Sequence, residues 1–164
     1  MKNLSLIFLL CFLTVGFSAC AQASFIKKGK AFIRESSPGT EMLDDNGNPT
    51  VQPKIVSYMA YVELAGAAPE WKYAWYNNQV FAVTATKIEE KKLEVGIDKS
   101  TGEKITMLSA KGNQLWQLEL IPAKDASKSI KTKGDELILE GIRQNKSFRY
   151  RIPKLIVLQT PDAV

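Results

Sequence analysis

The stretch that decides the fold is Trp71-Lys72-Tyr73-Ala74-Trp75-Tyr76-Asn77-Asn78-Gln79-Val80-Phe81-Ala82-Val83-Thr84-Ala85-Thr86. Aromatic and β-branched residues, which favour strands, fill both of its halves. Asn77 and Asn78 stand between the halves, and asparagine accepts the positive φ angles of a type I′ turn. The stretch therefore predicts a β-hairpin whose two strands are joined by a two-residue turn.

The two-residue turn determines which residues pair across this hairpin. Trp75 is expected opposite Val80, and Tyr73 opposite Ala82. Because side chains alternate between the two faces of a strand, Trp71, Tyr73 and Trp75 are predicted to form one row at intervals of about 7 Å. Large aromatic side chains usually lie in a core, but an exposed row of this kind could stack on sugar rings. Both interpretations stay open, because the opposite face of the hairpin is apolar as well.

The strand pattern continues along the rest of the chain. Turn-forming residues recur about every 8 to 12 positions, which is typical of all-β sandwiches and barrels, and about nine strands and no helix are expected. Polar connections at 35–53 and 122–134 favour crossovers between two sheets. Pro153 interrupts the last predicted strand, where a bulge or an edge position is expected. We predict an all-β fold: a single antiparallel β-sandwich of immunoglobulin-like or Greek-key topology, with a β-barrel as the alternative.

The N-terminus has the composition of an export signal. Lys2 precedes an almost wholly apolar run from Leu4 to Val15, and small residues follow that run. This arrangement is typical of a secretory signal peptide, and the run is shorter than the roughly 20 residues that a membrane-spanning helix needs. We therefore assign residues 1–19 to a signal peptide and residues 20–164 to a single all-β domain, with cleavage as late as residue 23 as an alternative.

The segment Phe17-Ser18-Ala19-Cys20 resembles the lipobox of bacterial lipoproteins, although the family usually has leucine at its first position. The resemblance implies that Cys20 becomes the acylated first residue and anchors the protein in a membrane. Ala21 follows it in place of the aspartate that retains such proteins in the inner membrane of Gram-negative bacteria. An outer-membrane position facing the periplasm is therefore implied. Two ordinary cleavage patterns, Ala19-Cys20-Ala21 and Ala21-Gln22-Ala23, overlap this segment and would give a soluble periplasmic or secreted protein.

The composition excludes several kinds of catalysis. The chain has no histidine, which removes Ser-His-Asp and Cys-His catalysis as well as histidine-ligated zinc. Its two cysteines are Cys11, inside the signal peptide, and Cys20, so the mature chain can form no internal disulfide. No metal site, phosphate-binding loop or cofactor motif is predicted. An acidic pair such as Glu63 and Glu119 is the remaining route to catalysis.

The charge pattern indicates a solvated surface. The net charge of +5 falls to +4 when Lys2 is removed with the signal peptide. Basic and acidic residues are interspersed over most of the chain. A denser basic region lies between residues 124 and 154. On an exported protein it favours an anionic envelope surface or an acidic partner over nucleic acid, although an ordinary surface explains it equally well.

Together these observations predict a non-enzymatic, exported cell-envelope protein. It would be lipid-anchored through Cys20 and would bind a protein or an envelope polymer. One alternative is a carbohydrate-binding module that uses Trp71, Tyr73 and Trp75 as an aromatic platform. Another alternative is a small-molecule carrier with a barrel cavity. No cofactor, metal or nucleic-acid partner is predicted.

Overall fold

The computed structural model describes residues 23–36, 43–48, 50, 54–123 and 130–160. Within these ranges the chain forms ten strands and no helix, which confirms the all-β class. Pro153 divides the last predicted strand in two, which accounts for the additional strand. The strands are β1 (Ile26–Ser36), β2 (Ile55–Ala65), β3 (Glu70–Tyr76), β4 (Gln79–Ile88), β5 (Lys92–Ile97), β6 (Lys104–Leu108), β7 (Asn113–Pro122), β8 (Leu137–Arg143), β9 (Lys146–Ile152) and β10 (Leu155–Leu158).

Eight strands form one mixed sheet in the order β10-β1-β2-β7-β4-β3-β8-β9, and β5 and β6 form a separate hairpin. Neighbouring strands of the large sheet are antiparallel except for β1 and β10, which pair in parallel with Ala31 opposite Leu155. In the order in which they lie in the sheet, the seven strands β1-β2-β7-β4-β3-β8-β9 alternate in direction. β1 and β9 therefore point the same way. A strand that continues β9 can therefore join β1 only in parallel, which is why the sheet departs from a purely antiparallel arrangement.

The large sheet is curled because a very short connection joins its two edge strands. β9 ends at Ile152 on one edge, and β10 begins at Leu155 on the other. Seven strand spacings of about 4.8 Å would separate the edges of a flat sheet by about 34 Å, whereas three Cα steps reach about 11 Å. The sheet therefore bends into a half-barrel with Pro153 at its joint. A Cβ on Gly29 of β1 would lie 2.8 Å from Cε1 of Tyr150 in β9, so the two edges are close.

Separate apolar clusters lie on the two faces of the curled sheet. On the concave face, Tyr58 of β2 contacts Tyr76 of β3 across two intervening strands, and Val62 is buried in the same cluster. The β5–β6 hairpin covers part of the convex face, where Phe32 and Met107 are buried together. The molecule thus combines a curled sheet, as in a barrel, with a second layer, as in a sandwich, and is consistent with both predicted architectures.

The β3–β4 hairpin has the predicted register. Tyr73 pairs with Ala82, and Trp75 pairs with Val80. The two asparagines of the turn have φ angles of 48° and 61°. Positive φ at both central residues is the signature of a type I′ turn, so the prediction made from the asparagine pair is confirmed.

Gly141 of β8 lies where the structure leaves no room for a side chain. A Cβ there would lie 2.6 Å from the backbone oxygen of Glu70 and 2.8 Å from the ring of Phe148. We expect Gly141→Ala to lower the free energy of unfolding by about 3 kcal/mol, as measured by urea denaturation. The added methyl group would clash with the backbone of Glu70, which cannot move aside as a flexible side chain can. Gly102→Ala is the control: its φ is +73° and its Cβ would contact nothing within 4 Å, so it should cost about 1 kcal/mol. Equal losses would contradict the prediction.

Candidate functional site

A β-bulge breaks the predicted aromatic row of β3. The pairing of β3 with β8 shifts register between Trp71 and Tyr73, so these side chains no longer share a face. Trp71 packs into the concave cluster against Phe148, with ring centroids 5.7 Å apart, and its indole nitrogen has no hydrogen-bond partner among the described residues. Tyr73 and Trp75 remain on the convex side, with ring centroids 6.0 Å apart. The three side chains therefore do not form one row, because strict alternation requires a strand without a bulge.

Trp75 points outwards and is nevertheless fully buried. Ile130, in the connection between β7 and β8, packs against the cluster that Trp75 forms with Val80 and Ile138. Asn78 holds this connection in place: its amide donates to Thr132 Oγ1 at 3.0 Å, and its Oδ1 accepts from the Thr132 amide at 3.2 Å. Of the three candidate ligand-binding residues, Tyr73 is the most accessible, with 37 % of its surface exposed, whereas Trp71 is partly buried and Trp75 is fully buried.

A seam between β1 and β9 lies on the N-terminal side of the Pro153 joint. β10 pairs with Ala31–Arg34 of β1, which leaves residues 26–30 without a strand on that side in the described structure. β9 is an edge strand that pairs with β8. Tyr150 of β9 lies over Gly29 of β1. Side chains, rather than a ladder of backbone hydrogen bonds, therefore fill the seam.

A cleft of about 430 Å³ lies beside this seam, with β6 as its other wall. Its volume is within the range of ligand-binding pockets. Two lysines and no acidic residue line it, and Leu108 leaves 53 % of its surface exposed. We call it the seam cleft. The residues that line it are Lys28, Gly29, Lys30, Thr106, Met107, Leu108 and Tyr150.

The edge of β6 at the seam cleft carries backbone groups without strand partners. Within the described part of the chain, β6 pairs with β5 alone. The Ser109 amide donates to the Lys91 carbonyl at 2.9 Å, which identifies a hydrogen-bonded pair at the end of this ladder. Because bonded and non-bonded pairs alternate in an antiparallel ladder, Thr106 and Leu108 direct their amides and carbonyls away from β5. The seam cleft is thus bordered by free edges of β1, β6 and β9.

Glu63 of β2 supports the seam cleft from below. The side chain is 1 % exposed, and its Oε1 accepts hydrogen bonds from the Ala110 amide at 2.8 Å and from Asn113 Nδ2 at 2.6 Å. Its Oε2 lies 3.7 Å from Lys28 Nζ and has no hydrogen-bond partner among the described residues. Burial raises the pKa of Glu63, but the bonds from Asn113 and Ala110 and the charge of Lys28 outweigh burial and hold this pKa below its usual value. Glu63 thereby fixes the β6–β7 turn and positions Lys28.

The structure separates Glu63 from Glu119, the other carboxylate of the candidate acidic pair. Glu63 pairs with Leu115 of β7, whereas Glu119 stands four residues further along that strand, opposite Met59. Four residues of strand correspond to about 13 Å. Catalytic carboxylate pairs in glycosidases lie about 5 to 9.5 Å apart. The two side chains are therefore too far apart to act on one bond.

The basic region between 124 and 154 is partly neutralised. Residues 124–129 lie outside the described ranges. Arg149 Nε lies 2.8 Å from Glu140 Oε2, and Arg151 Nη1 lies 3.4 Å from Glu136 Oε2. These ion pairs agree with the interpretation of this region as ordinary surface.

The described fold begins close to the predicted lipidation residue. Cys20 and the lipobox lie outside the described residues, which start at Ala23. Ala23 is 5 % exposed and belongs to the concave cluster, and its carbonyl accepts a hydrogen bond from the Ile26 amide at 2.8 Å. Phe25 packs edge-to-face against Phe148, with ring centroids 5.0 Å apart. The domain therefore uses the chain from Ala23 onwards.

Two further findings bear on the site. Among the described residues, no three histidine, cysteine, aspartate or glutamate side chains are grouped so that they could hold a metal ion. In the same part of the chain, no helix is long and apolar enough to cross a membrane.

Comparisons with known proteins assign no family to this all-β domain. No family model matches the chain, and no curated protein or solved structure is detectably similar to it.

Tyr73 and Trp75 are expected to differ sharply in their effect on stability. Trp75→Ala should lower the free energy of unfolding by about 4 kcal/mol, because it empties a fully enclosed site. Tyr73→Ala should cost about 1 kcal/mol or less, because part of the ring is already in water. Urea denaturation monitored by circular dichroism measures both. Similar losses for the two variants would show that Trp75 is not enclosed as described.

The acid sensitivity of the fold is expected to depend on Glu63. A carboxyl group whose pKa is lower in the folded state adds stability above its unfolded pKa, and this stability is lost as the pH falls through the folded pKa. Urea denaturation from about pH 7 to about pH 3 should reveal this loss in the wild type. Glu63→Gln keeps the Oε1 acceptor without the charge, so this part of the pH dependence should disappear.

Two variants complete the Glu63 test. Glu119→Gln removes an exposed carboxylate from the same strand pair and should retain the wild-type pH dependence. Glu63→Leu should lower the free energy of unfolding at neutral pH by about 2 kcal/mol, because Ala110 and Asn113 lose their acceptor. An unchanged pH profile in Glu63→Gln would refute the assigned role.

Proposed function

We propose that this chain is a non-enzymatic cell-envelope protein, anchored by lipid on Cys20, whose all-β domain binds a partner at the seam cleft. The anchor is proposed from the lipobox-like segment. The observation that carries the binding function is the cleft itself, which has a free strand edge at β6 and two lysines beside it. The burial of Ala23, three residues after Cys20, fits a mature chain in which the folded domain follows the anchor almost directly.

The burial of Ala23 distinguishes between the cleavage patterns that overlap at the end of the signal peptide. Cleavage after Ala23 would remove a side chain that the concave cluster encloses and a carbonyl that accepts the bond from Ile26. Cleavage before Cys20 retains both. A chain that begins at Gln22 also retains both, and it remains the soluble alternative.

A short tether would keep the domain at the membrane surface. Three residues from Cys20 to Ala23 span at most about 11 Å, and eight residues from Cys20 to Lys28 at most about 29 Å. The seam cleft would therefore open close to the bilayer. Since the lipobox resemblance implies the periplasmic face of the outer membrane, the partner would be an envelope component within this reach.

The chemistry of the cleft supports binding rather than catalysis. Lysine, leucine and tyrosine side chains line it, together with backbone groups. The nearest buried carboxylate, Glu63, is engaged by Ala110, Asn113 and Lys28. The concave face of the sheet is packed with side chains such as Val62 and Leu64, so a carrier would need additional space there.

The intact mass of the protein from a cell-envelope fraction tests the anchor. We expect a chain from Cys20 to Val164 that carries a diacylglyceryl group and a further acyl chain. Cys20→Ala is the control and should release the protein from the membrane fraction. An unmodified chain that begins at Gln22 would make the protein soluble in the periplasm or secreted. A chain that begins at Ser24 would contradict both the anchor and the requirement for Ala23.

A further inference from the structure

We infer that the seam cleft binds an extended, acidic segment of a partner protein. This segment pairs with β6 and so adds a third strand to the β5–β6 hairpin. The inference deepens the proposed binding function and is independent of the lipid anchor. It rests on the free backbone edge of β6, on the two lysines beside it and on the apolar surface between them.

The backbone of β6 offers what an added strand needs. Thr106 and Leu108 direct their amides and carbonyls into the cleft, away from β5. An extended peptide that pairs with such an edge gains main-chain hydrogen bonds, whatever its sequence. Small hairpin layers are usually protected at their edges, by a charge, a proline or a covering loop. The described structure leaves this edge of β6 uncovered at the cleft.

The charges beside this edge select for acidic side chains. Lys28 and Lys30 lie two residues apart on β1, which places them on one face at a spacing of about 7 Å. Carboxylates at alternate positions of an added strand repeat with the same spacing. Lys28 also forms an ion pair with the buried Glu63, whereas Lys30 is exposed at the cleft.

Apolar side chains complete the recognition surface. Leu108 is half exposed, and the ring of Tyr150 closes the seam over Gly29. Side chains alternate between the two faces of a strand. An added strand of alternating acidic and apolar residues would therefore direct its acidic side chains towards the lysines and its apolar side chains towards the apolar surface. The cleft thus fits a segment of alternating character better than a uniformly acidic tail.

A second copy of this chain fits the edge less well. Pairing two β6 edges around Thr106 would set Lys104 of each copy opposite Leu108 of the other. It would also bring the cleft lysines of both copies to one interface, in a chain that already has a positive net charge. Like charges at an interface oppose association, so the geometry favours a partner of opposite charge.

The direct test uses a hexapeptide that alternates glutamate and valine, with blocked ends, and the purified mature protein. Fluorescence anisotropy should detect binding that weakens as the salt concentration rises. The same composition in block order, and an alternating lysine–valine peptide, should each bind at least tenfold more weakly. Amide exchange at Thr106 and Leu108 should slow at least tenfold in the complex, because a strand protects those amides.

Matched variants locate the binding site. Thr106→Pro removes an amide that β5 does not use, and edge strands accept proline at such positions; it should weaken binding at least tenfold, whereas Thr106→Val should not. Lys30→Glu should also weaken binding at least tenfold. Lys133→Glu makes the same charge change in the β7–β8 connection and should have little effect. Circular dichroism confirms that each variant is folded.

Three outcomes would overturn the inference. The first is no binding of the alternating peptide at millimolar concentration. The second is equal weakening by Lys30→Glu and Lys133→Glu, which would indicate nonspecific attraction. The third is a dimer, detected by light scattering, that Thr106→Pro dissociates, which would make a second copy the occupant. The lipid anchor is judged separately by the intact mass, so failure of one proposal is not mistaken for failure of the other.

Discussion

The constraint on which the structure depends is the joint at Pro153, which connects the two edges of an eight-stranded sheet. A flat sheet cannot satisfy so short a connection, so the sheet must curl. Curling brings Tyr58 and Tyr76 together across two intervening strands and creates the concave apolar cluster. The same joint sets the direction of β10 and thus explains the one parallel pairing. Proline suits this position because a continuing ladder would need the amide that it lacks.

The candidate site is a direct consequence of this closure. β10 is only four residues long and pairs with Ala31–Arg34 of β1, so residues 26–30 of that strand remain at the seam. The β5–β6 hairpin covers the convex face beside this seam and leaves its own β6 edge open. Glu63 ties that hairpin to β2 through the β6–β7 turn and holds Lys28 at the cleft. The buried carboxylate of Glu63 therefore connects the β5–β6 hairpin, the large sheet and the cleft.

Features set by local chemistry could be predicted from the sequence, and features set by distant pairing could not. The paired asparagines specified the turn and register of the β3–β4 hairpin, and Pro153 predicted an interruption of the last strand, which the structure shows as the break between β9 and β10. The bulge between Trp71 and Tyr73 arises where β3 pairs with β8, far along the chain, so alternation within β3 could not reveal it. The seam cleft combines residues of β1, β6 and β9 with no common motif, and only the topology brings them together.

The parallel pairing of Ala31 with Leu155 also governs when the fold can be completed. It joins the first described strand to the last, so one edge of β1 has no strand partner until nearly the whole chain is available. Contacts between residues so distant in sequence form late, because the entropy of closing a long loop must be overcome first. During synthesis, which begins at the N-terminus, the sheet therefore cannot close before β10 has been made. The last strand therefore decides when the sheet can close, because the open edge of β1 is covered only once Leu155–Leu158 is available to pair with it.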